Sequence, residues 1–229
     1  ILHIITKKGH GLDDAEKNLN ESLDFMLEIQ DYKSSGMICK YLGLIALNRT
    51  EWESAQNYFI ESLNYLQKAE HRAAFEATTI FLGLSYYYDK KYELAEKFIS
   101  KAVQITSRRT NISSFYGKTA EAIQIMLKTK LKTCSEKEID SFVSRIESEF
   151  DSKSESPWIA REYWYISQSY LNLNLSNKAN KYRKISFSHL EEVSKLISDD
   201  TMRKDYMELP LIHRLMSGKN VDLDAKNKN

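Results

Sequence analysis

Glycine and proline are scarce in this 229-residue sequence, which contains seven glycines and two prolines. This excludes a turn-rich β-sandwich and a dinucleotide-binding sheet, which needs glycines in its phosphate turn. Lys and Arg (33) nearly balance Asp and Glu (32), so no net field attracts nucleic acid or an anionic membrane. No apolar run reaches the roughly 18 residues of a membrane span. With 42% hydrophobic and 28% charged residues, the composition predicts a soluble, almost all-helical protein with no nucleic-acid or membrane partner.

Only two cysteines are present, Cys39 and Cys134, and both lie in apolar stretches of helical character. A secreted disulfide framework would use more cysteines, so we expect two reduced, buried thiols and a cytoplasmic location. The sequence starts with Ile1, and residues 1–6 already have the apolar character of a helix. We therefore expect a fragment of a longer polypeptide.

Motifs for enzymatic chemistry are missing from the sequence. It contains neither the Gly-x-x-x-x-Gly-Lys-Ser/Thr nor the Gly-x-Gly-x-x-Gly phosphate loop, and no His-Glu-x-x-His zinc motif. The five histidines are dispersed without the spacing of metal ligands. Helix capping and solvation explain the adjacent carboxylates Glu191–Glu192 and Asp199–Asp200 better than acid–base catalysis does. The sequence predicts no enzyme, no cofactor and no metal site.

An internal repeat is the most informative feature of the sequence. Ala15, Ala55 and Ala95 are spaced by 40 residues. A bulky apolar residue follows each alanine by four positions, and a small residue follows it by seven. The bulky residues are Leu19, Phe59 and Ile99, and the small ones are Ser22, Ser62 and Ala102. Steps of four and three residues describe one face of a helix, so each segment predicts a helix with a packed face.

A second element precedes the last two of these segments. The pairs Leu42–Gly43 and Leu82–Gly83 are also 40 residues apart, each 12 residues before its alanine. A glycine inside a helix costs about 1 kcal/mol relative to alanine. Two glycines at matched positions therefore indicate that a neighbouring helix packs closely against them. Short polar links at residues 48–51 and 89–92 separate the two helices of each unit.

This pattern resembles the tetratricopeptide repeat, a helix-turn-helix unit of nominally 34 residues that related regulatory proteins lengthen to about 40. The sequence departs from the repeat at Cys39 and Thr79, which stand where it usually has an aromatic residue, and no proline closes either unit. The resemblance implies an all-α superhelix of stacked antiparallel helix pairs, closed by a short C-terminal capping helix.

Extending the period predicts one helical-repeat domain over residues 1–217. Its units span residues 1–30, 36–69, 74–107, 113–150 and 157–198, followed by a cap at 200–217 and a polar tail at 218–229. The fourth unit lacks the Leu-Gly pair and has Ser135 where the others have alanine. In the fifth, Ser156 and Pro157 predict a helix start. Pro210 ends the short helix of the cap.

The resemblance also implies a concave surface, lined by the first helix of each unit, on which such proteins bind their partners. The register of the Leu-Gly pairs gives the candidate groove residues Lys40, Tyr41, Leu44, Phe81, Leu84, Tyr88, Gln124, Lys128, Arg161, Trp164, Tyr165 and Gln168. Each aromatic residue among them is equally compatible with packing between helices. No second cation accompanies Lys40, because the positions that would complete a clamp with it hold Leu44, Phe81, Gly117 and Glu121. We therefore disfavour the Lys-Asn-Arg clamp with which chaperone-tail binders of this family hold a free C-terminal carboxylate.

The sequence thus predicts a non-catalytic module that binds a peptide or helix segment of a partner, or of the same polypeptide, in this groove. The period and the capping tail indicate part of a larger signalling or regulatory protein. Two alternatives stay open: a receptor for a small signalling peptide or ligand, as in bacterial regulators, and a structural assembly surface. The identity of the partner and the oligomeric state do not follow from the sequence.

Overall fold

A computed structural model describes residues 10–107, 115–149 and 157–207. All regular structure within these ranges is α-helical. The helices are α1 (His10–Glu28), α2 (Tyr32–Asn48), α3 (Trp52–Lys68), α4 (Arg72–Tyr88), α5 (Tyr92–Ser107), α6 (Phe115–Lys130), α7 (Glu136–Glu149), α8 (Pro157–Asn172), α9 (Ser176–Lys195) and α10 (Asp200–Met207). None of the helices in these ranges has both the length and the apolar character needed to cross a membrane. The chain forms two compact units, residues 1–127 and residues 128–229.

The first unit is built from helices that start every 20 residues. Helices α2 to α5 begin at Tyr32, Trp52, Arg72 and Tyr92, and each helix from α1 to α5 packs against the next. Because three-residue links join them, neighbouring helices run antiparallel, and helix pairs recur every 40 residues. The predicted all-α fold class of stacked antiparallel helix pairs is confirmed.

Each link closes the preceding helix with one residue in the left-handed conformation. After α2, the Thr50 N–H donates to the Leu47 carbonyl (3.2 Å) and the Glu51 N–H to the Ala46 carbonyl (3.0 Å). These two bonds define a Schellman motif, which satisfies the last carbonyls of the helix. The residues with positive φ in the first unit are Gln30, Thr50, Glu70 and Lys90. Glycine is the usual residue at this position, and the chain uses none here.

The glycines of the two Leu-Gly pairs, Gly43 and Gly83, lie where a second helix packs against the first. A Cβ atom at Gly43 would stand 2.5 Å from a ring carbon of Phe59, and one at Gly83 would stand 2.5 Å from Ile99 Cδ1. Such distances are far inside van der Waals contact, so each position requires glycine as long as the bulky side chain stays in place. The predicted close packing at both glycines is confirmed.

The alanines of the repeat are buried to different extents. Ala55 and Ala95 are completely buried, whereas Ala15 on α1 is half-buried. The two buried alanines confirm the predicted packed face in the second and third repeats. The same face of α1 is more open.

In the second unit, α7 packs on α8, α8 on α9 and α9 on α10. Helix α8 begins at Pro157, as predicted, while Ser156 lies outside the described residues. Helix α10 accounts for the predicted cap only as far as Met207. Pro210 and the polar tail lie outside the described residues.

The fourth repeat differs from the sequence-based expectation. Its link spans residues 131–135, five residues rather than three, so α7 starts after Ser135. Both the N–H and the hydroxyl of Ser135 donate to Glu138 Oε2 at 2.8 Å, which caps the helix start. The prediction that Ser135 replaces the packed alanine is therefore wrong, because α7 starts four residues later than the 40-residue period from Tyr92 places it.

Candidate functional site

Helix α2 carries a half-exposed stripe on one side. Most of the rest of the helix is buried against α1, α3 and α4, but Met37, Tyr41, Leu44 and Asn48 remain partly open to solvent. Their spacing of four, three and four residues places them on a single face. Three of the four side chains are apolar. Tyr41 and Leu44 were predicted groove residues, while Met37 was missed, although the same helical spacing could have identified it.

Helix α4, the first helix of the next repeat, has an aromatic residue at the position that matches Tyr41. Phe81 on α4 follows Tyr41 by 40 residues, is also half-buried, and stacks on Phe59 of α3 at a centroid distance of 6.0 Å. Because α2 and α4 are in contact, the two aromatic positions belong to neighbouring helices of the same unit. The predicted groove residue Leu84 is 5% exposed, so its side chain lies in the core.

The end of α4 adds a cluster of partly exposed aromatic rings. Tyr88 stacks on Trp52 of α3 at 5.4 Å and meets Tyr87 edge-on at 5.6 Å. Tyr87 in turn contacts Tyr92 of α5 at 5.7 Å. These contacts fix the ring of the predicted residue Tyr88. Trp52, at the start of α3, was not identified from the sequence.

Lys40 is a buried cation beside the α2 stripe. The residue is 8% exposed, and its Nζ lies 4.6 Å from the centroid of the Tyr41 ring and 3.5 Å from Met37 Sδ. Burial lowers the pKa of this lysine, because the charged form is poorly solvated. In the described part of the chain, no carboxylate forms an ion pair with it. The Tyr41 ring face provides the electrostatic attraction that is present.

The remaining candidates lie in helices α6 and α8. Gln124 is half-buried and donates Nε2 to Ser100 Oγ of α5 at 3.2 Å, while Lys128 is half-buried near the end of α6. In the second unit Arg161 is half-buried. Trp164, Tyr165 and Gln168 are buried, with at most 8% of each residue exposed. The structure thus brings Lys40, Tyr41 and Leu44 together on α2. A binding role for the α6 and α8 residues stays a prediction.

Both cysteines are free and buried. Burial raises the pKa of the Cys39 thiol to about 12, and the nearby Glu61 carboxylate adds to this shift. The pKa of Cys134 is also raised by burial. Both thiols therefore stay protonated near neutral pH and are poor nucleophiles. Over residues 10–107, 115–149 and 157–207, no group of three or more His, Cys, Asp or Glu side chains could hold a metal ion.

No family model matches the chain, and no curated protein matches it. The resemblance to the tetratricopeptide repeat therefore depends on the repeated residues alone, and membership of that family stays a prediction. The helix-pair architecture does not depend on it.

Proposed function

We propose that this chain is a non-catalytic interaction module that binds a peptide or helix segment of a protein partner along the α2 stripe and Phe81. The observation that carries the proposal is the stripe itself: Met37, Tyr41 and Leu44 are half-exposed on a helix most of whose remaining residues are buried. An amphipathic helix or peptide binds such a surface by placing its own apolar side chains, spaced by three and four residues, against it.

The packing behind the stripe supports this role. Phe81 is held by Phe59, and Tyr88 is held by Trp52. Rings that are already fixed lose little conformational entropy when a partner binds, which increases affinity for a given contact area. Aromatic side chains in such positions are frequent anchors of protein interfaces.

We further propose that the module belongs to a larger signalling or regulatory protein in the cytoplasm. The period of 40 residues supports the first part, because lengthened helical repeats occur in such regulators. The two buried, free thiols support the second, since they fit a reducing compartment. Their raised pKa values agree with a role that does not involve covalent catalysis.

Selection of a peptide from a random phage-displayed library, followed by calorimetry, tests the groove. The affinity of the selected peptide is compared between the wild type and the variant Tyr41→Ala/Phe81→Ala. We expect the variant to bind about tenfold more weakly or worse, because two aromatic anchors are removed.

The variant Ile60→Ala/Leu94→Ala is the matched control. Both residues are apolar and 40% exposed, but they lie on the second helices α3 and α5. This control should bind the peptide with wild-type affinity. Equal binding by the wild type and the Tyr41→Ala/Phe81→Ala variant, with both folded by circular dichroism, would show that the groove is not the binding site.

A further inference from the structure

Lys40 is the one buried lysine among the residues that the structure describes. Removing an ammonium group from water is strongly unfavourable unless a carboxylate or several hydrogen-bond acceptors replace the lost hydration. Lys40 has neither within the described residues: its ammonium contacts the Met37 sulfur and the Tyr41 ring. A lysine has three N–H donors, and thioether sulfur is a weak acceptor. Toward the described residues, the hydrogen-bonding capacity of this cation is therefore largely unused.

The position of this cation relates it to the α2 stripe. Met37 and Tyr41, which contact Nζ, are both half-exposed members of the stripe. The ammonium consequently lies one side chain below the surface on which we expect the partner segment to bind. A group of the partner that reaches between Met37 and Tyr41 would meet it directly.

We propose that Lys40 recognises a single carboxylate, carried by an otherwise apolar peptide or helix segment that binds the α2 stripe. This inference rests on the proposed function and specifies the chemistry of its partner. The apolar part of the ligand contacts Tyr41 and Leu44, and the carboxylate accepts the hydrogen bonds that Lys40 makes to no described acceptor other than the Met37 sulfur. A low-dielectric environment strengthens such a charge-assisted bond relative to one at an exposed lysine.

The side chains around the Lys40 ammonium favour one negative charge rather than two. Those that it contacts among the described residues are Met37 and Tyr41, and neither is cationic. A ligand with two adjacent negative charges would leave one of them on an apolar surface, where desolvation is costly. The structure therefore fits an acidic residue flanked by apolar ones better than a phosphate monoester, which carries nearly two negative charges.

Three small probes with the same five-carbon alkyl chain test this assignment: hexanoate, pentyl phosphate and the neutral hexanamide. The readout is the methyl resonance of Met37 in carbon–proton NMR spectra, assigned with the variant Met37→Leu. We expect hexanoate to shift this resonance saturably and hexanamide to bind at least about tenfold more weakly. Pentyl phosphate should also bind more weakly than hexanoate, and tighter binding of the phosphate would contradict a carboxylate site. In the variant Lys40→Met, the preference for hexanoate should disappear.

The control variant is Lys33→Met, which removes an exposed lysine from the same helix. It should keep the anion preference. A second readout needs no ligand: Lys40→Met should unfold at a higher temperature than the wild type, because an uncompensated buried charge is removed, while Lys33→Met should not. Equal binding of hexanamide and hexanoate would overturn the inference. An unchanged or lower unfolding temperature of Lys40→Met would do so as well.

These outcomes are separable from the fate of the proposed function. If selected peptides require Tyr41 and Phe81 but hexanoate and hexanamide bind equally well, the proposed groove is supported and the role of Lys40 is wrong. If hexanoate binds more tightly than hexanamide but no selected peptide requires Tyr41 and Phe81, the anion site is supported and the peptide groove is wrong.

Discussion

Hairpins α2–α3 and α8–α9 belong to different units, yet they close with the same hydrogen bond. Ser62 Oγ donates to the Gly36 carbonyl at 2.7 Å, and Ser186 Oγ donates to the Ala160 carbonyl at 2.6 Å. In both hairpins the serine follows its acceptor by 26 residues. The two hairpins therefore share one register.

The two hairpins differ in the residues that fill the space between their helices at the position of Gly43. In α2–α3, Gly43 leaves space that the Phe59 ring occupies. In α8–α9, Ser167 stands at the place of the glycine and donates its hydroxyl to the Ala179 carbonyl at 2.8 Å. Arg183, which is half-buried, stands at the place of Phe59. The comparison shows that the same helix pairing can be maintained by steric fit or by a hydrogen bond to the backbone.

Aromatic stacking compensates for the missing bulky residue in α8–α9. Tyrosines of α8 alternate with Tyr182 and His189 of α9 in one stack of rings, with centroid distances of 5.4 to 6.0 Å. The order along the stack is Tyr170, Tyr182, Tyr163 and His189. The α2–α3 hairpin has Ala46 and Cys39 at the positions of Tyr170 and Tyr163 in α8. In α2–α3 the Phe59 ring fills the space at Gly43, whereas in α8–α9 the rings lie one turn before and one turn after Ser167.

The largest expected effect comes from removing the side chain that fills the glycine site. Phe59→Ala should lower the free energy of unfolding by about 3 to 5 kcal/mol, because Phe59 is completely buried and the neighbouring Gly43 cannot fill the cavity. Arg183→Ala, at the same position of α8–α9, should lower the free energy of unfolding by less than about 1 kcal/mol. Urea unfolding followed by circular dichroism measures both values. Similar losses for the two variants would contradict the difference between the hairpins.

A smaller effect is expected from the tyrosine that begins the stack. The Tyr170 hydroxyl donates to Asp140 Oδ1 at 2.6 Å, and Lys178 Nζ binds the same oxygen at 2.7 Å. Tyr86 is the matching residue of α4–α5 and stacks on Phe98, but its hydroxyl makes no hydrogen bond within the described residues. Tyr170→Phe should therefore cost about 1.5 kcal/mol, and Tyr86→Phe less than about 0.5 kcal/mol. Asp140 is half-exposed, which keeps the first value at the low end for a bond to a charged group.

The pH dependence of the Tyr170→Phe variant checks the role of the carboxylate. Hydrogen bonds from Lys178 and then Tyr170 lower the pKa of Asp140 below its ordinary value of 3.8. A carboxyl group with a lowered pKa stabilises the fold above its unfolded-state pKa, and this contribution is lost as the pH falls through the folded-state pKa. The cost of Tyr170→Phe should stay constant from about pH 5 to 8 and decline below about pH 3.5. A cost that is unchanged at about pH 2 would show that Tyr170 contributes through packing rather than through Asp140.

The sequence was sufficient for those parts of the fold that depend on local spacing. The packed glycines Gly43 and Gly83 could be predicted because a glycine inside a helix is costly without a close neighbour. Openness to solvent could not be predicted: Leu44 and Leu84 are matching residues of equal hydrophobicity, but only Leu84 is surrounded by core. The position of Ser135 depended on where α7 starts, four residues later than the period places it, which the period alone does not reveal.

The polar contacts of the second unit could not be predicted from the sequence for a different reason. Asp140 is 30 residues from Tyr170 and 38 residues from Lys178 in sequence, and these residues meet only after three helices have packed. Nothing in the local pattern marks Asp140 as more than a surface carboxylate. The same holds for Lys40, whose burial depends on the helices on either side of α2.

The smallest expected effect compares the two links that close α2 and α8. Thr50 and Asn174 have φ values of 65° and 62°, the left-handed conformation that ends each helix. This conformation costs a β-branched residue about 1 to 2 kcal/mol, whereas asparagine adopts it more readily. Glycine removes the strain but adds about 0.5 to 1 kcal/mol of chain entropy to the unfolded state. Thr50→Gly should therefore raise the free energy of unfolding by about 0.5 kcal/mol, and Asn174→Gly should leave it within about 0.3 kcal/mol of the wild type. Thermal unfolding of both variants measures the difference, and a loss of stability in Thr50→Gly would mean that the threonine side chain contributes more to the link than its backbone strain costs.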